Sequence, residues 1–244
     1  MARTNLAVKH IDDDDIPRIV GKRIKIESLK KIEPKTENQK YAMQEWACNQ
    51  HLVMKGSAGT GKSFLAIYMA MKDILLKRGE QEKLIVIRSA VATRELGFLP
   101  GSLEEKVAVY EEPYVAIFEE LFPLLKNGSS AADKLREQKL YEFASSSYLR
   151  GITFHNATIV VDEISSMTFH ELDTIMTRVG EGCRIIFCGD EKQSDLIHNK
   201  NDKSGMYEFL NVINKLEEFS FVDFKPEDIL RSKLVKRYIL ARDK

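Results

Sequence analysis

His51-Leu52-Val53-Met54-Lys55-Gly56-Ser57-Ala58-Gly59-Thr60-Gly61-Lys62-Ser63 decides how this chain is read. A short apolar run, His51 to Met54, stops at a glycine-rich turn, and Phe64, Leu65, Ile67, Tyr68, Ala70, Met71, Ile74 and Leu75 then keep helical spacing. That order is strand, loop, helix. Two glycines four residues apart, followed by Lys and a hydroxyl, fit a phosphate-binding loop from Gly56 to Ser63. Small residues let the backbone curl so that several N–H groups face phosphate oxygens, and the helix N-terminus adds its partial positive charge. Lys62 would bridge the terminal phosphates and Ser63 would ligate Mg²⁺.

Working outward, Leu84 to Ile87 is another compact strand, and Thr158 to Val161 and Arg184 to Cys188 are two more, each ending in an acid and separated by a helix around Phe169 to Val179. Alternating strands and helices predict an α/β fold with a doubly wound, mostly parallel sheet and helices on both faces. Leu103 to Leu125 reads as a helix broken at Pro113, and Ala131 to Ala144 as a second, so about 103–148 is expected to be a helical insertion. Phe219 to Phe224 reads as one more strand and Ile229 to Leu240 as a closing helix. Residues 1–33 carry the acidic run Asp12 to Asp15 and no clear periodicity, which predicts a partly mobile extension ahead of a domain at 34–244.

The 244 residues are 43% hydrophobic and 30% charged, with 37 basic and 37 acidic side chains. That is the composition of a soluble globular protein, and no apolar run approaches the roughly 20 residues of a membrane helix. A cytoplasmic location without a membrane partner is expected. Three cysteines, Cys48, Cys183 and Cys188, suggest neither a disulfide framework nor a zinc site. Balanced charge gives no whole-protein field for nucleic acid, but 18–40 holds eight Lys or Arg against three Glu, and 225–244 holds seven against three acids. These stretches are basic contact surfaces or ordinary solvated faces.

Ile159-Val160-Val161-Asp162-Glu163 reads as a strand delivering two acids with separate tasks. Asp162 would hold Mg²⁺, and Glu163 would act on the water that attacks the γ-phosphate. Cys188-Gly189-Asp190, followed by Gln193, ends a strand expected between the other two, where Gln193 would sense that phosphate. Gln39, before the first core helix, either reads adenine with its amide or is a surface amide near an N-cap. Glu163 argues against a small-molecule kinase, which must exclude water.

Together these residues resemble the PhoH family, ATPases with a RecA-like core related to the first motor domain of superfamily 1 helicases. The resemblance adds Arg88-Ser89-Ala90-Val91, the run Leu96 to Lys106, Tyr148-Leu149-Arg150-Gly151 and Asp228-Ile229-Leu230-Arg231. It departs at Ile164-Ser165-Ser166, where family members commonly carry Ala-Gln-Asn. The resemblance implies ATP and Mg²⁺ as ligands and hydrolysis stimulated by RNA or single-stranded DNA. The acids at Asp162, Glu163 and Asp190 leave a further cation wanted at the γ-phosphate, and a neighbouring subunit would supply it in a homo-oligomeric ring, by resemblance a hexamer. A nucleotide-switched interaction protein with slow hydrolysis is the alternative. A compact form of this kind is similar to versions carried by bacteriophages, which would place it in the host cytoplasm. Arg88, Arg94, Arg150 and Phe98 are candidates for the nucleic-acid rim. Arg231 is expected on a helix at a subunit edge, either as an arginine finger acting in trans or paired with Asp228 at i, i+3.

Overall fold

The computed structural model describes residues 23–89, 103–125, 129–146, 149, 151–190 and 205–242. Gln193, Arg94, Phe98 and Arg150 lie outside these residues. Among the described residues six parallel strands form one sheet: β1 (His51–Gly56), β2 (Lys83–Arg88), β3 (Tyr141–Ser145), β4 (Ala157–Asp162), β5 (Arg184–Gly189) and β6 (Phe219–Phe224). Their order across the sheet is β3-β2-β4-β5-β1-β6. Strand β5 therefore separates the phosphate-loop strand from the acid-tipped β4, as the sequence predicted.

Alternate side chains of the central strands enter two cores. Leu52, Met54, Leu84, Val86, Val160 and Ile186 pack with α1 (Glu37–Ala47) and α2 (Lys62–Leu76), while Val53, Ile85, Ile87, Ile159, Val161, Ile185 and Phe187 face α5 (Phe169–Met176) and α6 (Met206–Ile213). This two-sided burial explains why β4 and β5 read as continuous apolar runs rather than alternating ones. The result is a RecA-like α/β layer architecture with helices on both faces.

Three expectations change. Helix α3 (Leu103–Leu121) runs through Pro113 without ending there. Pro113 is exposed, whereas Tyr114, Phe118 and Leu121 are buried, so the inward face holds the helix together where one backbone donor is lost. The helix read over Ala131 to Ala144 is α4 (Ala131–Glu137) followed by β3. Lys139 turns the chain at φ 58°, and Tyr141 enters the core beside Phe118. The stretch read as a helical insertion thus supplies the sheet's edge strand. Finally, the extension read over 1–33 joins the core earlier: Ile24 and Leu29 are buried, and the Lys30 N–H donates to the Leu121 carbonyl at 2.8 Å.

Candidate functional site

A cleft of about 1150 Å³ opens at the carboxyl ends of β1, β2, β4 and β5 and is lined by the glycine-rich loop, α3 and the segment before α7 (Lys233–Arg242). Crossing of the strand order at β1 creates this crevice, the usual ligand position in an open α/β sheet.

The loop is shaped by what crowds it. A Cβ on Gly56, at φ +128°, would lie 2.0 Å from the Phe224 carbonyl oxygen of β6, and one on Gly59, at φ +79°, would meet the Arg231 side chain at 2.7 Å. Thr60 closes the turn by donating to the Ser57 carbonyl at 3.1 Å. The loop feeds the N-terminus of α2 into the cleft. Lys62 curls back and donates to the carbonyls of Gly56 (2.7 Å) and Ser57 (2.9 Å). Burial pushes its ammonium below the ordinary lysine value, while the carboxylates of Asp190 and Asp162 pull the other way.

Asp162 emerges at the end of β4 and is 6% exposed. The Ser63 hydroxyl donates to its Oδ1 at 2.8 Å, and the Tyr114 hydroxyl donates to its Oδ2 at 2.9 Å. Glu163 follows in the left-handed region, at φ 54° and ψ 45°, an unfavourable backbone for a side chain of its size that costs about 1–3 kcal/mol. That turn carries its carboxylate over to β2, where Arg88 Nη2 donates to Oε2 at 2.5 Å. Arg88 also lies over the Tyr110 ring, 6.0 Å from its centroid. Burial would lower the Arg88 guanidinium, yet Tyr114, Glu163 and Asp162 raise it, so it stays charged.

Gln39 is 6% exposed, which excludes the surface-amide reading. Its Nε2 donates to the Thr60 carbonyl at 3.0 Å and its Oε1 accepts from the Lys35 N–H at 2.8 Å. Thr36 is the N-cap of α1, accepting from the Gln39 N–H. Gln39 therefore braces the phosphate loop, whatever else it contacts.

Arg231 requires a correction. It precedes α7 rather than lying in a helix, and the proposed partner Asp228 accepts instead from Asn38 Nδ2 (2.7 Å) and the Lys225 N–H (2.8 Å). The Leu230 N–H donates to the Gly59 carbonyl at 2.9 Å, and the Arg231 stem lies against Gly59. Arg231 thus lines the cleft of its own chain.

Sequence reasoning missed Tyr114 and the Arg88–Glu163 pair. Tyr114, Phe118 and Leu121 share one helical face, but nothing in that spacing distinguishes a phenol aimed at a carboxylate from a core aromatic. The pairing of Arg88 with Asp162 across β2 and β4 appears only with the strand register.

Residues 31–243 match the protein family described as PhoH-like protein. This chain belongs to that family. It is 34% identical over 216 residues to the PhoH-like protein of Bacillus subtilis (strain 168), covering 88% of this chain and 65% of that protein. With the PhoH-like protein of Synechocystis sp. it shares 36% identity over 191 residues, 78% of this chain and 55% of that one. The chain spans between 55% and 65% of the length of these two relatives. Among solved structures, the large terminase of a thermophilic bacteriophage superposes with a TM-score of 0.50 at 14% identity, over 84% of this chain and 50% of the terminase, a likeness of fold alone. Fold and family together make this PhoH-like chain a P-loop NTPase.

The donor set fits Mg²⁺. Among the described residues no group of three or more His, Cys, Asp and Glu side chains could cage a metal. Ser63 and Asp162 instead offer hard oxygens next to the phosphate loop, which suits an ion that retains waters and takes phosphate oxygens. No described helix is long and apolar enough to cross a membrane.

Proposed function

We propose that this PhoH-like chain is a Mg²⁺-dependent ATPase stimulated by RNA or single-stranded DNA. The observation that carries the reading is the convergence of Lys62, Ser63, Asp162 and Glu163 at one end of the sheet, with Ser63 and Asp162 in direct contact. Gly56 to Ser63 would hold the triphosphate through backbone N–H groups and the α2 N-terminus. Lys62 would exchange its loop carbonyls for the β- and γ-phosphate oxygens, a charge-assisted and stronger contact. Ser63 and Asp162 would hold the ion, which when bound neutralises charge developing on the phosphates. Glu163 would orient and deprotonate the attacking water.

The ion pair with Arg88 supports the stimulated form of this activity. A glutamate engaged by a guanidinium is a poor base, and phosphates of a nucleic-acid backbone compete for that guanidinium. The same pair also favours the second reading, a nucleotide-switched protein with slow hydrolysis, when no polyanion reaches Arg88. Arg231 serves its own chain's phosphates in this proposal. Leu234 and Tyr238 on α7, 78% and 67% exposed, are apolar side chains that a second copy of the chain would cover in the proposed homo-oligomer.

Steady-state phosphate release from Mg-ATP, measured alone and with RNA and single-stranded DNA, tests the proposal. Metal-dependent hydrolysis raised by either polymer is expected. Slow hydrolysis indifferent to both would favour the switch, and no nucleotide binding would refute the site.

A further inference from the structure

We infer that Tyr114 is a positioning residue that limits Asp162 to a single metal-facing oxygen and so tunes the site to Mg²⁺ over larger divalent ions. The inference rests on the metal-dependent nucleotide site proposed above. Tyr114 comes from α3, outside the strand-end motifs that deliver Ser63 and Asp162. Its hydroxyl donates to Asp162 Oδ2 at 2.9 Å, and Oδ1 is the oxygen turned toward Ser63, 2.8 Å from its hydroxyl. The two carboxylate oxygens are thereby assigned different partners.

The phenol is held in place. Tyr114 is 1% exposed and packs against Phe143 of β3, with ring centroids 5.7 Å apart. A donor fixed on Oδ2 opposes bidentate coordination by that carboxylate. Mg²⁺ takes one carboxylate oxygen, or a water held by it, in a near-octahedral shell, whereas Ca²⁺ readily accepts both oxygens and a larger, looser shell. Partners that orient a metal ligand from behind typically change metal affinity about 10–100-fold when removed.

The test is binding of a fluorescent ATP analogue during titration with MgCl₂ or CaCl₂, using wild type, Tyr114→Phe and Phe143→Ala, each checked by thermal melting. For Tyr114→Phe we expect half-saturating Mg²⁺ to rise about 10-fold, the lower end of that range, with Ca²⁺ affected less and metal-free nucleotide binding unchanged. Phe143→Ala keeps the hydroxyl but loosens its seat, and should shift Mg²⁺ in the same direction by less. On an Asp162→Asn background, Tyr114→Phe should add nothing. Wild-type Mg²⁺ dependence in Tyr114→Phe, equal weakening with and without metal, or full additivity with Asp162→Asn would overturn the inference while leaving the site intact. A wild-type protein whose nucleotide binding ignores Mg²⁺ would overturn both.

Discussion

Replacing Arg88 with alanine separates two opposite roles for the guanidinium by the sign of the effect. Arg88 and Glu163 meet at 2.5 Å, and their side chains are 20% and 46% exposed. A pair this accessible is worth about 0.2–1 kcal/mol after solvent screening. At a factor of ten per 1.36 kcal/mol, removing the Arg88 contact makes Glu163 the better base and raises basal turnover by about 1.5- to 5-fold. Stimulation by RNA or single-stranded DNA should disappear in the same variant, since the competition for Arg88 is gone. If Arg88 instead stabilised charge on the transferring phosphoryl group, its loss would cost about 10³-fold or more, the scale of an arginine finger. The two outcomes differ in sign and by several orders of magnitude. The assay is phosphate release at saturating Mg-ATP, with and without polymer, alongside nucleotide affinity and a thermal melt. A basal rate lowered tenfold or more in a folded, nucleotide-binding Arg88→Ala protein would refute restraint of Glu163 by Arg88.

Lys62→Ala should nearly abolish ATP binding, because the loop's remaining donors are neutral backbone N–H groups; undiminished affinity in a direct titration would refute the phosphate loop. Glu163→Gln should keep ATP binding while turnover falls about 10²-fold or more, and near-normal hydrolysis would make Glu163 only a strand-end acid. Arg231→Ala subunits mixed with Glu163→Gln subunits should show no recovered hydrolysis, since Arg231 lies on its own chain's Gly59; recovery in the mixture would restore action across a subunit boundary.

What the sequence disclosed and what it withheld follow from the range of the interactions. The phosphate loop and the acids at Asp162 and Glu163 are local: a few consecutive residues fix both backbone path and chemistry, and strand order follows from connection rules. Strand β3 was misread because Ala131 to Ala144 has helical apolar spacing. The chain leaves the helix at Lys139, and Tyr141 is recruited by a core that the local pattern does not contain. Arg231 was misread for the same reason. Asp228 is drawn to Asn38, 190 residues away, rather than to its neighbour at i+3, and this anchors the following Leu230 and Arg231 on the loop. Gln39 was half legible, since its nearness to an N-cap is a sequence feature but its contact with Thr60 is not.

These long-range contacts share a consequence for the chemistry. Three segments far apart in the chain brace the same small group of reactive atoms: Gln39 holds the loop at Thr60, Leu230 holds it at Gly59, and Tyr114 holds Asp162. None needs to touch substrate to matter, because the loop's N–H groups act on phosphate only in the curled geometry that these contacts maintain. Lys62 occupies the loop's carbonyls, and Arg88 occupies Glu163. The cationic groups are thus already in the cleft, engaged by internal acceptors that phosphates can displace. Under the proposed function, the preorganised backbone and the exchangeable side-chain partners would let the site take a nucleotide with little rearrangement and hold turnover back until a second anion draws Arg88 from Glu163.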